Sequence, residues 1–138
     1  MIVFNRLDIH AVDHCNLACL GCNHHSPFMR KKDFSAADYV PWLRKLRDHG
    51  VVIDRLGITG GECFLNKGLA DLVAGCKEAS GCKEVDVFSN VFWLRDEASI
   101  EKNRPVLEQV EVLVATKYKP IVEKVGGLDE LLRLLDLV

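Results

Sequence analysis

The chain has 138 residues, 49% of them hydrophobic and 28% charged, with a net charge of −2. That length suits one domain that buries its own core without disulfide staples. The scattered lysines and arginines exclude the electrostatic footprint of a nucleic-acid or anionic-membrane binder, and no apolar run approaches the roughly 18 residues of a membrane span.

The opening MIVFNRLDIHAVDHC lacks the basic start and cleavable apolar stretch of a secretory leader. A reducing, cytoplasmic setting is therefore expected, in which the six cysteines serve as thiols or metal ligands. Within this stretch the run IVFNRLDIHAV predicts a first strand. A cysteine-rich loop follows it. From Ser35 a helix is expected: Ser35 with Asp38 forms a capping pattern, and Phe34 and Tyr39 are spaced as a hydrophobic staple. Tyr39, Trp42, Leu43 and Leu46 share its inner face, and Gly50 ends it.

VVIDRLGIT predicts the second strand. Asn66 is the expected cap of the second helix, with Leu69, Leu72, Val73 and Cys76 as its buried stripe. VDVFS reads as strand three, a less regular helical stretch runs from about Trp93 to Val110 with Pro105 bending or shortening it, and EVLVAT reads as strand four. Such alternation predicts an α/β fold, a parallel sheet of right-handed βαβ units. The last stretch, LDELLRLLDLV, is an apolar helix with no cap behind it. It is expected to pack on a missing C-terminal segment or on a second subunit of a dimer.

Cys15, Cys19 and Cys22 are spaced C-x3-C-x2-C directly after the first strand. In a parallel α/β fold that loop sits where functional groups gather, at the carboxyl ends of the strands. Two metals fit. Zinc could take the three thiolates with His24 or His25, although structural zinc sites usually join two short ligand pairs. A four-iron cluster would keep one iron free for a chelating substrate or cofactor. After strand two, GITGGECF offers Gly60 and Gly61 as a close approach to backbone and Glu62 as a carboxylate for an ammonium group. Cys63 and Cys76 read as core filler, and His10 as a residue facing the interior of the sheet.

CNLACLGC after strand one and GGE after strand two together resemble the radical S-adenosylmethionine (radical SAM) superfamily. SN at Ser89 and Asn90 is similar to the TNG or SNG that ends strand three in that family, and ATKYKP resembles a lysine-tyrosine-proline stretch after strand four. The resemblance implies that residues 1–138 are the N-terminal part of a core domain, about four β/α units of a partial (β/α)6 TIM-like barrel without its last two units. It also implies a [4Fe-4S] cluster on Cys15, Cys19 and Cys22, with S-adenosylmethionine held by Gly60, Gly61 and Glu62. Ser89, Asn90 and Lys117 would serve its ribose or carboxylate. The implied activity is reductive cleavage of that cofactor to a 5′-deoxyadenosyl radical, which abstracts hydrogen from a substrate, with electrons from a donor such as a flavodoxin or ferredoxin. The alternative from another class is a non-catalytic zinc or iron-sulfur module that docks to another protein. Two positions depart from the family pattern: Gly21 stands where an aromatic residue commonly precedes the third cysteine, with Phe28 as the nearest substitute, and Cys63 replaces the proline that usually follows GGE.

Overall fold

The computed structural model describes residues 2–116 and 118–138. Four strands, β1 (Ile2–Val12), β2 (Val51–Gly60), β3 (Glu84–Ser89) and β4 (Val112–Ala115), lie side by side in chain order, and every pair is parallel. Helices α1 (Ala36–Asp48), α2 (Leu69–Ser80) and α3 (Glu97–Leu107) connect them, and α4 (Lys119–Lys124) and α5 (Leu128–Leu135) follow β4. Among the described residues no helix is long and apolar enough to cross a membrane.

Strand pleating sends alternate side chains to opposite faces. Ile9, Ala11, Leu56, Ile58, Val85 and Val87 point to one face and pack under α1, α2 and the end of α3, with Leu43, Leu72, Val73 and Val106. Each fully buried leucine or valine of this layer contributes about 1.5–3 kcal/mol. The opposite face carries rows of charged and polar side chains. In register across it run Arg6, Arg55 and Glu84, then Asp8, Gly57 and Asp86. His10 lies beside Thr59 in the next row. Arg6 ties two of these strands together, donating to Asp8 at 2.7 Å and to the buried Asp86 at 2.9 Å.

The cap of α1 forms as expected: the Ser35 N–H donates to Asp38 Oδ2 at 2.7 Å, and the rings of Phe34 and Tyr39 stand 5.7 Å apart. The α2 stripe of Leu69, Leu72, Val73 and Cys76 is buried, but Gly68, not Asn66, occupies the cap position. Asn66 works one turn earlier. It accepts the Gly68 N–H at 2.8 Å and donates to the carbonyls of Ala11 and Phe34 at 2.9 and 2.8 Å. The third helix is shorter than its pattern, starting at the Asp96–Ser99 capping box, with Pro105 in its final turn. Val91 to Leu94 instead form a turn, closed by the Leu94 N–H on the Val91 carbonyl at 3.0 Å, that packs Leu94 inward.

The apolar face of α5 is covered from within the chain. Leu131 and Leu134 are buried with Val91, Leu94, Ile100 and Ile121 in a second core, so the helix does not depend on an external partner for these two residues. Leu128 and Leu132 stay exposed.

The loop between β1 and α1 is closed at its base. The Asp13 N–H donates to the Lys32 carbonyl at 3.0 Å, the Phe34 N–H donates to the Ala11 carbonyl at 2.9 Å, and Val12 bridges Asp33 in antiparallel fashion. Residues 13–32 thus leave the sheet and return to it at one point.

Candidate functional site

The cysteine loop rises from the carboxyl end of β1. Cys19 to Cys22 form a tight turn closed by the Cys22 N–H on the Cys19 carbonyl at 3.3 Å. Gly21, its third residue, has φ +74, as the third position of a type II turn requires. No atom lies within 4 Å of where a Cβ would stand there. An aromatic residue is therefore disfavoured by the backbone and not by lack of space. Phe28 does not substitute for it: the ring is 88% exposed and lies outside the cavity lining.

Gly60 and Gly61 bring β2 against this loop. Their neighbours are the loop's own backbone: a Cβ on Gly60 would stand 2.2 Å from the Val12 carbonyl oxygen, and one on Gly61 would stand 1.8 Å from that of His14. In the space left, the Gly61 N–H donates to Val12 and the Glu62 N–H to His14, each at 3.0 Å. The close approach expected of these glycines is thus in the first place an approach of chain to chain, and it sets Cys15 over the end of β2.

Glu62 turns away from the open side. Its carboxylate is 1% exposed and accepts the Ser89 hydroxyl at 2.7 Å, the Asn90 N–H at 2.7 Å and the Phe64 N–H at 3.1 Å. Burial raises its pKa above the ordinary carboxylate value, and the three hydrogen bonds work in the opposite direction. The side chain ties the ends of β2 and β3 together. Ser89 is similarly committed, its oxygen also accepting the Val91 N–H at 2.9 Å and the Trp93 indole at 3.2 Å. The amide of Asn90 extends from this knot to the cysteine loop, 2.8 Å from Asn16 Oδ1 and 3.6 Å from the Cys15 sulfur.

A cavity of about 640 Å³ opens between the loop and the strand ends. Cys15, Cys19 and Cys22 line it together with Gly60, Gly61, Ser89 and Asn90, while Glu62 does not. His10, Thr59 and Phe88 carry the wall down onto the polar face of the sheet. All three cysteines are free thiols of intermediate exposure. Burial raises the Cys15 thiol pKa, against the pull of the Leu17 amide. The nearby Ser26 backbone amide draws Cys22 below the ordinary thiol value.

Sequence reasoning missed Tyr118. It lines the cavity with Cys19 and Cys22, and its phenol pKa is raised, chiefly by the neighbouring Cys19 thiol. The ATKYKP stretch drew attention to Lys117, which lies outside the described residues. Missed too was the pairing of His24, its ring centroid 5.1 Å from that of His10 and its Nε2 3.4 Å from the Thr59 hydroxyl. Cys63 and Cys76 are buried in the main core, as their filler reading expects, and Cys82 is buried there with them.

Among the described residues no three His, Cys, Asp or Glu side chains converge on one ion position, as a Cys3His zinc site demands. A [4Fe-4S] cube takes each thiolate on a separate iron. Three free thiols spread along one loop at the mouth of an open cavity fit that donor set.

Comparison with known proteins agrees. The family model described as a 4Fe-4S single cluster domain matches residues 6–125. A probable GTP 3′,8-cyclase of Methanopyrus kandleri is 29% identical over 110 residues, 80% of this chain and 34% of that protein. The sporulation killing factor maturation protein SkfB of Bacillus subtilis is 36% identical over 83 residues, 60% of this chain and 19% of its own length. The chain thus spans about a third of the cyclase and less of SkfB. Among solved structures, Streptococcus suis SuiB bound to S-adenosylmethionine superposes with a TM-score of 0.59 at 22% identity, covering 96% of this chain and 29% of SuiB. BtrN in complex with AdoMet and 2-DOIA gives 0.59 at 18% identity, covering 92% of this chain and 54% of BtrN. These two likenesses establish the fold, four β/α units like those of the radical SAM TIM-like barrel. The chain therefore belongs to the 4Fe-4S single cluster domain family, within the radical SAM proteins.

Proposed function

We propose that Cys15, Cys19 and Cys22 hold the cluster, that S-adenosylmethionine occupies the 640 Å³ cavity beside them, and that the chain starts radical chemistry on a substrate lying over the polar face of the sheet. The observation that carries this reading is that three free thiols share one cavity with the carboxyl ends of β2 and β3. Reduced by a donor such as a flavodoxin or ferredoxin, the cluster supplies the electron that splits the sulfonium into methionine and a 5′-deoxyadenosyl radical, which takes a hydrogen atom from the substrate.

The chain's own residues bind and position. The backbone of Gly60 and Gly61 forms the wall that receives the amino end of the methionine. Glu62 stands behind that wall and keeps Ser89 and Asn90 in place. Lys117 is left for the ribose or carboxylate, because the Ser89 hydroxyl and the Asn90 amide are already engaged. Asp8, His10 and Thr59 offer a substrate hydrogen bonds, and Phe88 offers an apolar flank.

Anaerobic reconstitution with iron and sulfide tests the reading. Four irons per chain, visible absorbance and an EPR signal that changes when S-adenosylmethionine is added are expected. A colourless protein retaining a single zinc would sink it.

A further inference from the structure

Asn90 is gripped on every side. Its backbone N–H donates to Glu62 at 2.7 Å, its side-chain oxygen accepts the Phe92 N–H at 2.9 Å, and its amide nitrogen lies 2.8 Å from Asn16 Oδ1 and 3.6 Å from Cys15 Sγ. An amide nitrogen has two hydrogens, and these two contacts use both. None is left for a ribose or a carboxylate.

The backbone beside it is strained. Val91 sits at φ +52, in the left-handed region that a β-branched residue rarely enters. Such a conformation is unfavourable for a side chain with a Cβ and persists where the surroundings over-determine it. Here Glu62 and the Ser89 hydroxyl do so by holding the N–H groups of Asn90 and Val91. What the strained turn secures is the aim of the Asn90 amide at the cysteine loop.

We infer that Asn90 is a positioning residue for the cluster, donating its amide N–H to the Cys15 sulfur and thereby setting the cluster's reduction potential. The inference rests on the assignment of Cys15 as a cluster ligand. Hydrogen bonds to cysteine sulfur withdraw negative charge from it, which favours the more electron-rich reduced state and raises the potential. Cys15 receives one such bond from the Leu17 amide at 3.4 Å, and Asn90 supplies a second from across the sheet. The chain from Glu62 through Asn90 to Cys15 thus joins the strand-two motif to the first cysteine without a contact to substrate.

The test compares the full chain with Asn90→Ala and Asn16→Ala after anaerobic reconstitution. Iron content and visible absorbance report whether the cluster is present, and an EPR-monitored redox titration reports its midpoint. Asn90→Ala is expected to keep its iron and to shift the midpoint to more negative potential. Asn16→Ala, at an exposed position, removes the acceptor that orients the amide, along with its own 3.7 Å contact to the Cys15 thiol, and is expected to give a smaller shift of the same sign. If Asn90→Ala fails to fold or to load, Asn16→Ala decides. An unchanged midpoint in a fully loaded variant overturns the inference and leaves the cluster assignment standing. A wild-type chain that takes up no iron overturns both.

Discussion

Replacing Glu62 separates a carboxylate that meets a ligand from one that holds the fold. In Glu62→Ala the N–H groups of Phe64 and Asn90 lose their acceptor in a site that is 1% exposed, while the Ser89 hydroxyl can rotate. Each stranded buried donor costs about 1–3 kcal/mol, so two of them cost about 2–6 kcal/mol. Relief of the carboxylate's burial, the cause of its raised pKa, returns part of that. The net expectation is a loss of about 2–4 kcal/mol, a large fraction of the roughly 5–15 kcal/mol that holds a domain together. Glu62→Gln keeps the shape and one acceptor oxygen, but sets an NH2 against an N–H, and should lose about 1–2 kcal/mol. Urea unfolding of the apo chain, anaerobic and at pH 7, measures both as a fall in midpoint at unchanged slope. A Glu62→Ala chain within 0.5 kcal/mol of wild type that nevertheless fails to bind S-adenosylmethionine would refute the reasoning and return the carboxylate to the cofactor.

Three further outcomes are expected. At Val91, glycine relieves the left-handed strain that alanine retains, so Val91→Gly should be at least as stable as Val91→Ala; in ordinary strand or helix positions glycine is the worse by about 0.5–1 kcal/mol, and thermal melts that restore that order would contradict φ +52. In the metal-free chain a thiol reagent should modify Cys15, Cys19 and Cys22 quickly and the buried Cys63, Cys76 and Cys82 only after denaturation, since burial holds Cys76 up at about 12 and raises Cys63 well above the ordinary thiol value; a fourth fast thiol would count against the core. Burial likewise pushes Tyr39 up to about 12, so its contribution to stability is complete below pH 10 and disappears as pH rises through 12. Phenolate absorbance at 295 nm should therefore rise late in the native chain and near pH 10 in urea, and coincident curves would show that the ring is not enclosed.

The four strands were legible because each is an apolar, β-branched run, buried on its helix-facing side in β1 to β3 and half-buried in β4, and α1 because its cap and staple are local, three to five residues apart. The cysteine-rich loop stood out for the same reason, its three cysteines falling within eight residues. Contacts made across the sheet were not. Glu62 finds Ser89 and Asn90 some 27 positions away, and nothing in GGECF indicates whether its carboxylate faces the cavity or the core. The short helix α4, six residues long, offers too little periodicity to register. Asn66 reads as a cap by type, yet its amide is drawn off by two carbonyls from β1 and the residue before α1's cap. The left-handed backbone at Val91 comes only with the fold, and its sequence signal is a valine after Ser89-Asn90 where the family's SNG has glycine.

The clasp at the foot of the cysteine loop bears on how the protein gains and loses its metal. Residues 13–32 are tied off by Asp13 with Lys32 and by Val12 with Asp33, while the hydrophobic layers lie elsewhere, under α1, α2 and the later helices. Opening that segment breaks few apolar contacts, so it belongs to the low end of the local unfolding scale while the sheet belongs to the high end. On the proposed cluster assignment, metal uptake would be a local ordering event on a finished scaffold, and oxidative loss of the cluster would leave behind a folded protein that can be filled again.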